Sequence, residues 1–285
     1  MIYQWYPGHM TKARRMMQEN IKLIDLIIEL VDARIPMSSR NPDIDELGKN
    51  KTRMLLLNKA DLADERQTDA WVDFFQAQGY FVMKINSKKS GGVRSIQNEI
   101  QKACSEKMER DRKRGIQNRP VRAMVAGIPN VGKSTFINTV AGKACTKTGN
   151  KPGVTKGKQW IRLNKTVELL DTPGILWPKF EDQKVGLRLA LIGSIRDEIM
   201  NIEELALELA AFLMDVYPGI LAEKYGIHEK KDSYACLKEF AECRKCLLKG
   251  NEPDLRKASV LFLDDFRNGR IGSVTLETVK EYEND

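Results

Sequence analysis

The sequence predicts an α/β protein, a doubly wound and mostly parallel sheet followed by a C-terminal all-α domain. Three observations lead there. Near-continuous apolar runs recur at residues 26–31, 54–57, 80–85 and 121–126, as strands covered on both faces require. Helical patterns lie between them, at residues 64–78 and 92–114. From about Phe180 the strand-like runs stop and only helical spacing remains, which divides the chain into residues 1–178 and 179–285.

Taken in order, residues 11–24 read as an amphipathic helix, with Thr11 as N-cap and Ala13, Met17, Ile21 and Ile24 along one face. Strands follow at 26–32, 53–58, 80–85 and 121–126, then a helix at 133–141 and two more strands at 158–163 and 167–171. In the second part Leu187, Leu189, Leu191 and Ile192 open a helix, and Leu205, Leu209, Phe212 and Leu213 share the face of another. Residues 254–266 and 274–282 give two more, punctuated by Pro218-Gly219 and Gly250-Asn251.

Composition narrows the function classes. With 285 residues, 42% of them hydrophobic, the chain can bury one large core, or a medium and a small one. No run approaches the roughly 18 apolar residues of a membrane helix. The first six residues lack the basic start and apolar core of a signal peptide, and neither end carries a lipidation motif. A cytoplasmic protein with no membrane partner is expected. The five cysteines lack framework spacing, and Cys243-Arg-Lys-Cys246 is half a zinc site with no second pair to close a tetrahedron. The net charge of +8 is uneven: residues 1–174 carry 31 basic against 18 acidic side chains, whereas residues 175–285 carry 16 against 21. Residues 143–165 hold seven basic side chains and no acidic one, and residues 102–122 hold eight against three. Such single-sign stretches point to a polyanionic partner; the competing reading is a solvated face.

The chemistry begins at Gly127-Ile-Pro-Asn130-Val131-Gly132-Lys133-Ser134, followed by Thr135. A G-x-x-x-x-G-K-[ST] pattern lets backbone N–H groups wrap phosphates, brings Lys133 to the β- and γ-phosphates, and gives Mg²⁺ the Ser134 hydroxyl. It follows a strand and opens a helix, whose N-terminus favours the anion. Asn58-Lys59-Ala60-Asp61 ends another strand. A carboxylate at Asp61 can accept from both the guanine N1–H and the 2-amino group, so it would select GTP over ATP. Asn86-Ser87, after the third strand, suits a contact to guanine O6. Asp171-Thr-Pro-Gly174 places a carboxylate for Mg²⁺ through water and a Gly174 N–H to sense the γ-phosphate. Thr155, in Pro152-Gly153-Val154-Thr155, supplies a second hydroxyl for the metal.

One position departs from the pattern of Ras-like proteins. Where those carry a water-orienting glutamine, after Asp-x-x-Gly, this chain has Ile175. Intrinsic hydrolysis is expected to be slow unless another group holds the water. Asn130 could help bind a monovalent cation. His9, in Tyr6-Pro7-Gly8-His9-Met10, lies in a turn able to reach a cleft, or is simply a satisfied surface residue. His228 sits in a polar loop and reads as structural.

The motif order is inverted: Asn58–Asp61 precedes the phosphate loop by about seventy residues. In that order, and with Asp32-Ala33-Arg34 closing the first strand, the sequence resembles the circularly permuted GTPases. Trp5-Tyr6-Pro7-Gly8-His9-Met10 and residues 170–178 bring it close to the bacterial ribosome-assembly branch of that family. The resemblance covers residues 1–181 with specific motifs and the rest by helical character. It implies a P-loop GTPase fold, late assembly of the large ribosomal subunit, ribosome-stimulated hydrolysis, activation by K⁺ and a helical RNA-binding module. It also implies that a hydrophobic residue, here Ile175, replaces the glutamine. The candidate catalytic set from the residues is Lys133, Thr155, Gly174 and His9, and the polyanion the resemblance implies is the rRNA of a subunit precursor rather than DNA. Charge alone would put the stronger RNA contacts on the GTPase domain. Because the chain leaves the sheet through residues 174–178, any switch movement is expected to pass to the helical domain. The alternative function is a GTP-dependent switch that recruits a protein and does not act on rRNA.

Overall fold

A computed structural model of the chain describes residues 6–116, 119–146, 159–228 and 232–283. The chain forms two compact units, residues 1–183 with 275–285 and residues 184–274. No helix among the described residues is long and apolar enough to cross a membrane.

The first unit is built on a six-stranded sheet. Its strands are β1 (Leu26–Asp32), β2 (Thr52–Asn58), β3 (Phe81–Lys84), β4 (Val121–Gly127), β5 (Gln159–Arg162) and β6 (Val167–Asp171), in the spatial order β3-β2-β1-β4-β6-β5. Only β5 is antiparallel to its neighbour. All seven residues of β1 are buried, since helices cover both faces of a central parallel strand. Each fully buried aliphatic side chain there contributes about 1.5–3 kcal/mol. Glu29 and Asp32 are the two charged residues of that strand, and Glu29 lies in its middle. It is fully buried, meets Arg53 at 2.7 Å and Arg40 at 3.8 Å, and is pushed up by burial against the pull of the two guanidinium groups.

The topology explains the inverted motif order. β2 and β3 extend from one side of β1, while β4 and β6 extend from the other. The strand order therefore reverses between β1 and β4, the place where open α/β sheets bind ligands. Parallel register brings the carboxyl ends together: Asp32 pairs with Asn58, Leu30 with Gly127, and Val125 with Asp171.

Helices α1 (Gly8–Asn20), α2 (Pro42–Leu47), α3 (Glu65–Ala77), α4 (Val93–Ala103), α5 (Ser105–Lys113) and α6 (Lys133–Ala141) belong to this unit. α3 is capped by Asp64, which accepts from the Gln67 N–H, an arrangement worth about 1 kcal/mol. It buries Trp71 and Phe75 against Val31, Leu55 and Leu57. Three local expectations change. α1 starts at Gly8 rather than at residue 11, because Pro7 (φ −71°) already presents its carbonyl to the Met10 N–H. The helix expected over 92–114 breaks at Cys104: α4 buries Ile96, Ile100 and Ala103, whereas α5 buries nothing that would hold it to the same axis. The helix expected over 274–282 shrinks to a single 3₁₀ turn at Val279–Glu281, because the Leu276 N–H is bonded to the Arg34 carbonyl at 2.7 Å.

The second unit holds α7 (Gln183–Leu191, whose first residue belongs to the first unit), α8 (Ile202–Val216), α9 (Ile220–Tyr225), α10 (Ser233–Cys243) and α11 (Leu255–Arg267). Leu205 and Leu209 of α8, Phe240 of α10 and Phe262 of α11 are buried, the two rings meeting edge-on at 5.0 Å. Arg267 caps the end of α7, donating to the carbonyls of Ala190 and Leu191 at 2.9 Å each, where a cation suits the helix dipole. The helical part was expected to run from 179 to the end of the chain; instead residues 275–283 lie with the sheet.

Candidate functional site

The site forms at the carboxyl ends of β1, β2, β4 and β6. Its organising side chain is Asn58, the last residue of β2 and 2% exposed. The Asn58 Nδ2 donates to the Val131 carbonyl at 2.7 Å, within the loop between β4 and α6. Its Oδ1 accepts from the Ser87 N–H at 3.0 Å and the Ser87 hydroxyl at 2.7 Å, in the loop after β3. Three loops distant in sequence are thus joined by one amide whose donor and acceptor sides are both used. Thr139 of α6 adds a second tie, its hydroxyl donating to the Ser87 carbonyl at 2.6 Å. Asn86 steadies the same loop by accepting from the Lys88 N–H at 2.9 Å.

Gly132 shows how closely the loops approach. It has φ +103°, and a Cβ there would lie 2.4 Å from Asn58 Nδ2. Only glycine satisfies both the left-handed backbone and the contact. Asn130 is also left-handed, at φ 59°, within the curl of this loop. Lys133, Ser134 and Thr135 open α6. The buried Lys133 ammonium donates to the carbonyls of Gly127 (3.0 Å) and Ile128 (2.7 Å). Burial pushes its pKa down, against the opposing pull of the Asp171 carboxylate.

Asp171 ends β6. Both of its carboxylate oxygens are buried without a hydrogen bond of normal geometry, and burial pushes its pKa up while the Lys133 ammonium and the neighbouring Thr172 N–H pull it down. A buried carboxylate without partners is costly unless a cation completes it. With the Ser134 hydroxyl at the start of α6, the donors are hard oxygens, which fit Mg²⁺ held by one or two protein groups plus phosphate oxygens. The third expected oxygen donor, Thr155, lies outside the described residues.

Gly174 closes the phosphate end. A Cβ there would lie 2.8 Å from Lys133 Nζ and 2.8 Å from Pro129 Cα, so its backbone rests directly on the phosphate loop. Ile175 is fully buried and its carbonyl accepts from Asn41 Nδ2 at 3.1 Å. The next residue, Leu176, donates its N–H to the Met10 sulfur at 3.4 Å. His9, exposed in the first turn of α1 and adjacent to Met10, is therefore carried to the segment that follows Gly174.

At the opposite end, Lys59 is left-handed (φ 59°) and its ammonium meets Asp32 at 2.9 Å. Asp32 also receives Arg34 through two bonds of 2.8 Å. Burial pushes Asp32 up, but Arg34 and Lys59 together outweigh it and hold the carboxyl well below the usual range. Asp61 follows in a 3₁₀ turn (Ala60–Leu62) and is exposed. At the surface an unpaired carboxylate keeps its hydration and carries no burial penalty.

Sequence reasoning passed over Glu277, Thr139 and Asn138. The Asn138 Oδ1 accepts from the N–H groups of Cys145 and Thr146 at 2.8 Å each, which fixes the chain leaving α6. None of the three sits in a recognisable motif. Cys243 and Cys246 are free thiols, and the described residues contain no cluster of three or more metal-ligating side chains.

Comparison with known proteins agrees with this geometry. The family described as 50S ribosome-binding GTPase matches residues 122–247, a stretch that includes the phosphate loop and leaves Asn58–Asp61 outside, as permutation requires. The ribosome biogenesis GTPase A of Bacillus cereus is 47% identical over 99% of this chain and 96% of its own length. GDP-bound and GNP-bound structures of YlqF, the latter from Thermotoga maritima, are each 28% identical, with TM-scores of 0.68 and 0.67. They cover 93% and 94% of this chain, and it covers 99% and 98% of theirs. With its loops assembled at the carboxyl ends of the inner strands and its likeness running end to end, this chain belongs to the ribosome biogenesis GTPase A family and is a GTPase.

Proposed function

We propose that the chain hydrolyses GTP during assembly of the large ribosomal subunit, binding subunit precursors in the GTP state and hydrolysing in response to them. The observation that carries this reading is the Asn58 clasp, which ties the end of β2, just before Asp61, to the 127–134 loop, as one nucleotide gripped at both ends requires. Asp61 reads guanine, with Lys59 held in place by Asp32 and the Asn86-Ser87 loop facing O6. Backbone N–H groups of 130–135 take the phosphates, Lys133 leaves its two carbonyls for the β- and γ-oxygens, and the Gly174 N–H senses the γ-phosphate.

Ser134, Asp171 and Thr155 would hold Mg²⁺, which when bound offsets charge on the phosphate oxygens. Asn130 would support K⁺ beside the phosphates. With Ile175 buried in place of a glutamine, the attacking water falls to another group, and His9, exposed in the first turn of α1 beside Met10, is the candidate.

The rRNA reading rests on charge. Lys143, Arg162 and Lys165 are exposed, and residues 147–158 between them lie outside the described residues. In the other basic stretch, Lys107 and Arg119 are bound to Asp25 at 3.2 and 3.3 Å, and Arg122 to Glu168 at 3.2 Å, so less of its charge is free. The helical unit would add RNA contacts, and the protein would work in the cytoplasm.

The test is the GTPase rate with and without large subunits across a salt series. Stimulation through RNA falls steeply as salt rises. A flat response supports the protein-recruitment switch instead.

A further inference from the structure

Three consecutive residues, Thr275, Leu276 and Glu277, mark the return of the chain to the sheet unit, and each is bonded to a segment that shapes the base-reading loop. The Thr275 hydroxyl accepts from the Asp64 N–H at 3.0 Å, three residues after Asp61. The Leu276 N–H donates to the Arg34 carbonyl at 2.7 Å. The Glu277 side chain, 1% exposed, accepts from the Met37 N–H, from the Ser38 N–H at 3.1 Å and from the Ser38 hydroxyl at 2.5 Å. Tyr282 donates its hydroxyl to the same carboxylate at 3.2 Å, and Trp71 donates to the Glu277 carbonyl at 3.3 Å.

The turn held by Glu277 leads directly to the pocket. Ser39, next to Ser38, accepts the Asp32 N–H on its hydroxyl at 2.9 Å. Asp32 in turn holds Lys59 and Arg34. A buried carboxylate with donors on both oxygens is thus the anchor for 34–39, and through Asp32 for Lys59. None of these residues touches phosphate or the reacting atoms.

We infer that Glu277, assisted by Thr275, is a positioning residue for guanine binding: it fixes the 34–39 turn and the start of α3, and so sets how long a nucleotide stays. This rests on the GTP reading of the site. Loss of the anchor would loosen Lys59 and Asp61 together and leave the phosphate loop intact, because that loop is held by Asn58 and α6. Affinity would change and the chemical step would not.

The test uses the full chain, with release of mant-GDP followed by stopped flow and steady-state GTP hydrolysis measured alongside. Glu277→Ala should release mant-GDP about tenfold faster, the effect of losing one or two hydrogen bonds, and raise KM for GTP in proportion. The value of kcat should stay within about twofold, since no catalytic contact is lost. Glu277→Gln, whose amide oxygen still accepts, should recover most of the wild-type residence time. Ile100→Ala, a core change in the same unit, controls for lost stability. Wild-type release by Glu277→Ala, or an equal acceleration by Ile100→Ala at a matched unfolding temperature, overturns the inference. If Glu277→Ala does not fold, Thr275→Val decides: release about threefold faster supports the anchor, and an unchanged rate refutes it. A wild-type protein that fails to bind mant-GDP at all would sink the nucleotide reading itself.

Discussion

Asn58 holds Val131: the amide at the end of β2 donates to a carbonyl of the phosphate loop at 2.7 Å, across seventy-three residues of sequence. Through this contact a motif encoded early reaches one encoded late. The central position of β1 makes it possible, since β2 and β4 flank the same strand in parallel.

Removing that amide should damage both sides of the pocket. Asn58→Ala leaves the Val131 carbonyl and the Ser87 donors without a partner, at a cost of about 2–4 kcal/mol in stability. Nucleotide affinity should fall on the order of a hundredfold. Asn58→Asp can still accept from Ser87 but cannot donate to Val131, so it should retain stability better than affinity. Calorimetric binding and thermal melts of the two variants separate these effects.

Gly174 should discriminate between nucleotide states. A Cβ at that position collides with Lys133 Nζ and Pro129, where the switch segment meets the phosphate loop. Gly174→Ala should leave GDP affinity within about threefold and weaken a non-hydrolysable GTP analogue tenfold or more, as the proposed contact of its N–H with the γ-phosphate requires. Equal losses for both nucleotides would remove Gly174 from γ-phosphate sensing.

Much of this site was legible because its chemistry is local. The phosphate loop and the helix at 133–141 need particular residue types at fixed spacing, and the structure places α6 at Lys133–Ala141. What was not legible depends on distant partners. Nothing near residue 277 in sequence announces that Met37 and Ser38 will claim its carboxylate, so 274–282 read as an ordinary helix. The break at Cys104 escaped for a related reason: the helical pattern continues, but the buried stripe ends. The exposure of Asp61 is not readable from its motif; it follows from lying in a turn beyond the last residue of β2.

The Asp32 cluster should appear in acid stability. Its folded-state pKa lies below the unfolded value, so its ionisation stabilises the fold above the unfolded pKa, and that contribution is lost as pH falls through the folded pKa. Asp32→Asn should lower the unfolding temperature most at neutral pH, with breakage of a buried pair costing about 3–5 kcal/mol. The gap between variant and wild type should narrow as the pH drops below about 4. A gap constant from pH 7 to pH 2 would contradict this assignment.

His9→Ala should reduce subunit-stimulated hydrolysis by about a hundredfold, the lower end of what a positioned acid–base group contributes, while leaving nucleotide affinity alone. Single-turnover rates with saturating large subunits would show it. An unchanged stimulated rate would remove His9 from the mechanism.

The connector between Gly174 and the helical unit is packed further along than its sequence suggests. Ile175 and Phe180 are buried, and the Trp177 and Phe180 rings meet edge-on at 5.0 Å. Flexible residues inserted after Glu181 would spare that packing. They should abolish the difference in subunit affinity between GTP and GDP states without altering GTP affinity. Sedimentation with large subunits would detect it, and a surviving difference would show that the switch does not act through this connector.

The pairing of Asp61 with the phosphate loop in one pocket is tested most directly by exchanging the base. Affinities of wild type and Asp61→Asn for GTP and xanthosine triphosphate should invert in order. GTP binding should weaken by roughly a hundredfold or more, as loss of a base-reading hydrogen-bond pair produces, and xanthosine triphosphate should bind more tightly. Undiminished GTP affinity in Asp61→Asn would mean that the base is read elsewhere and that the two loops do not share one nucleotide.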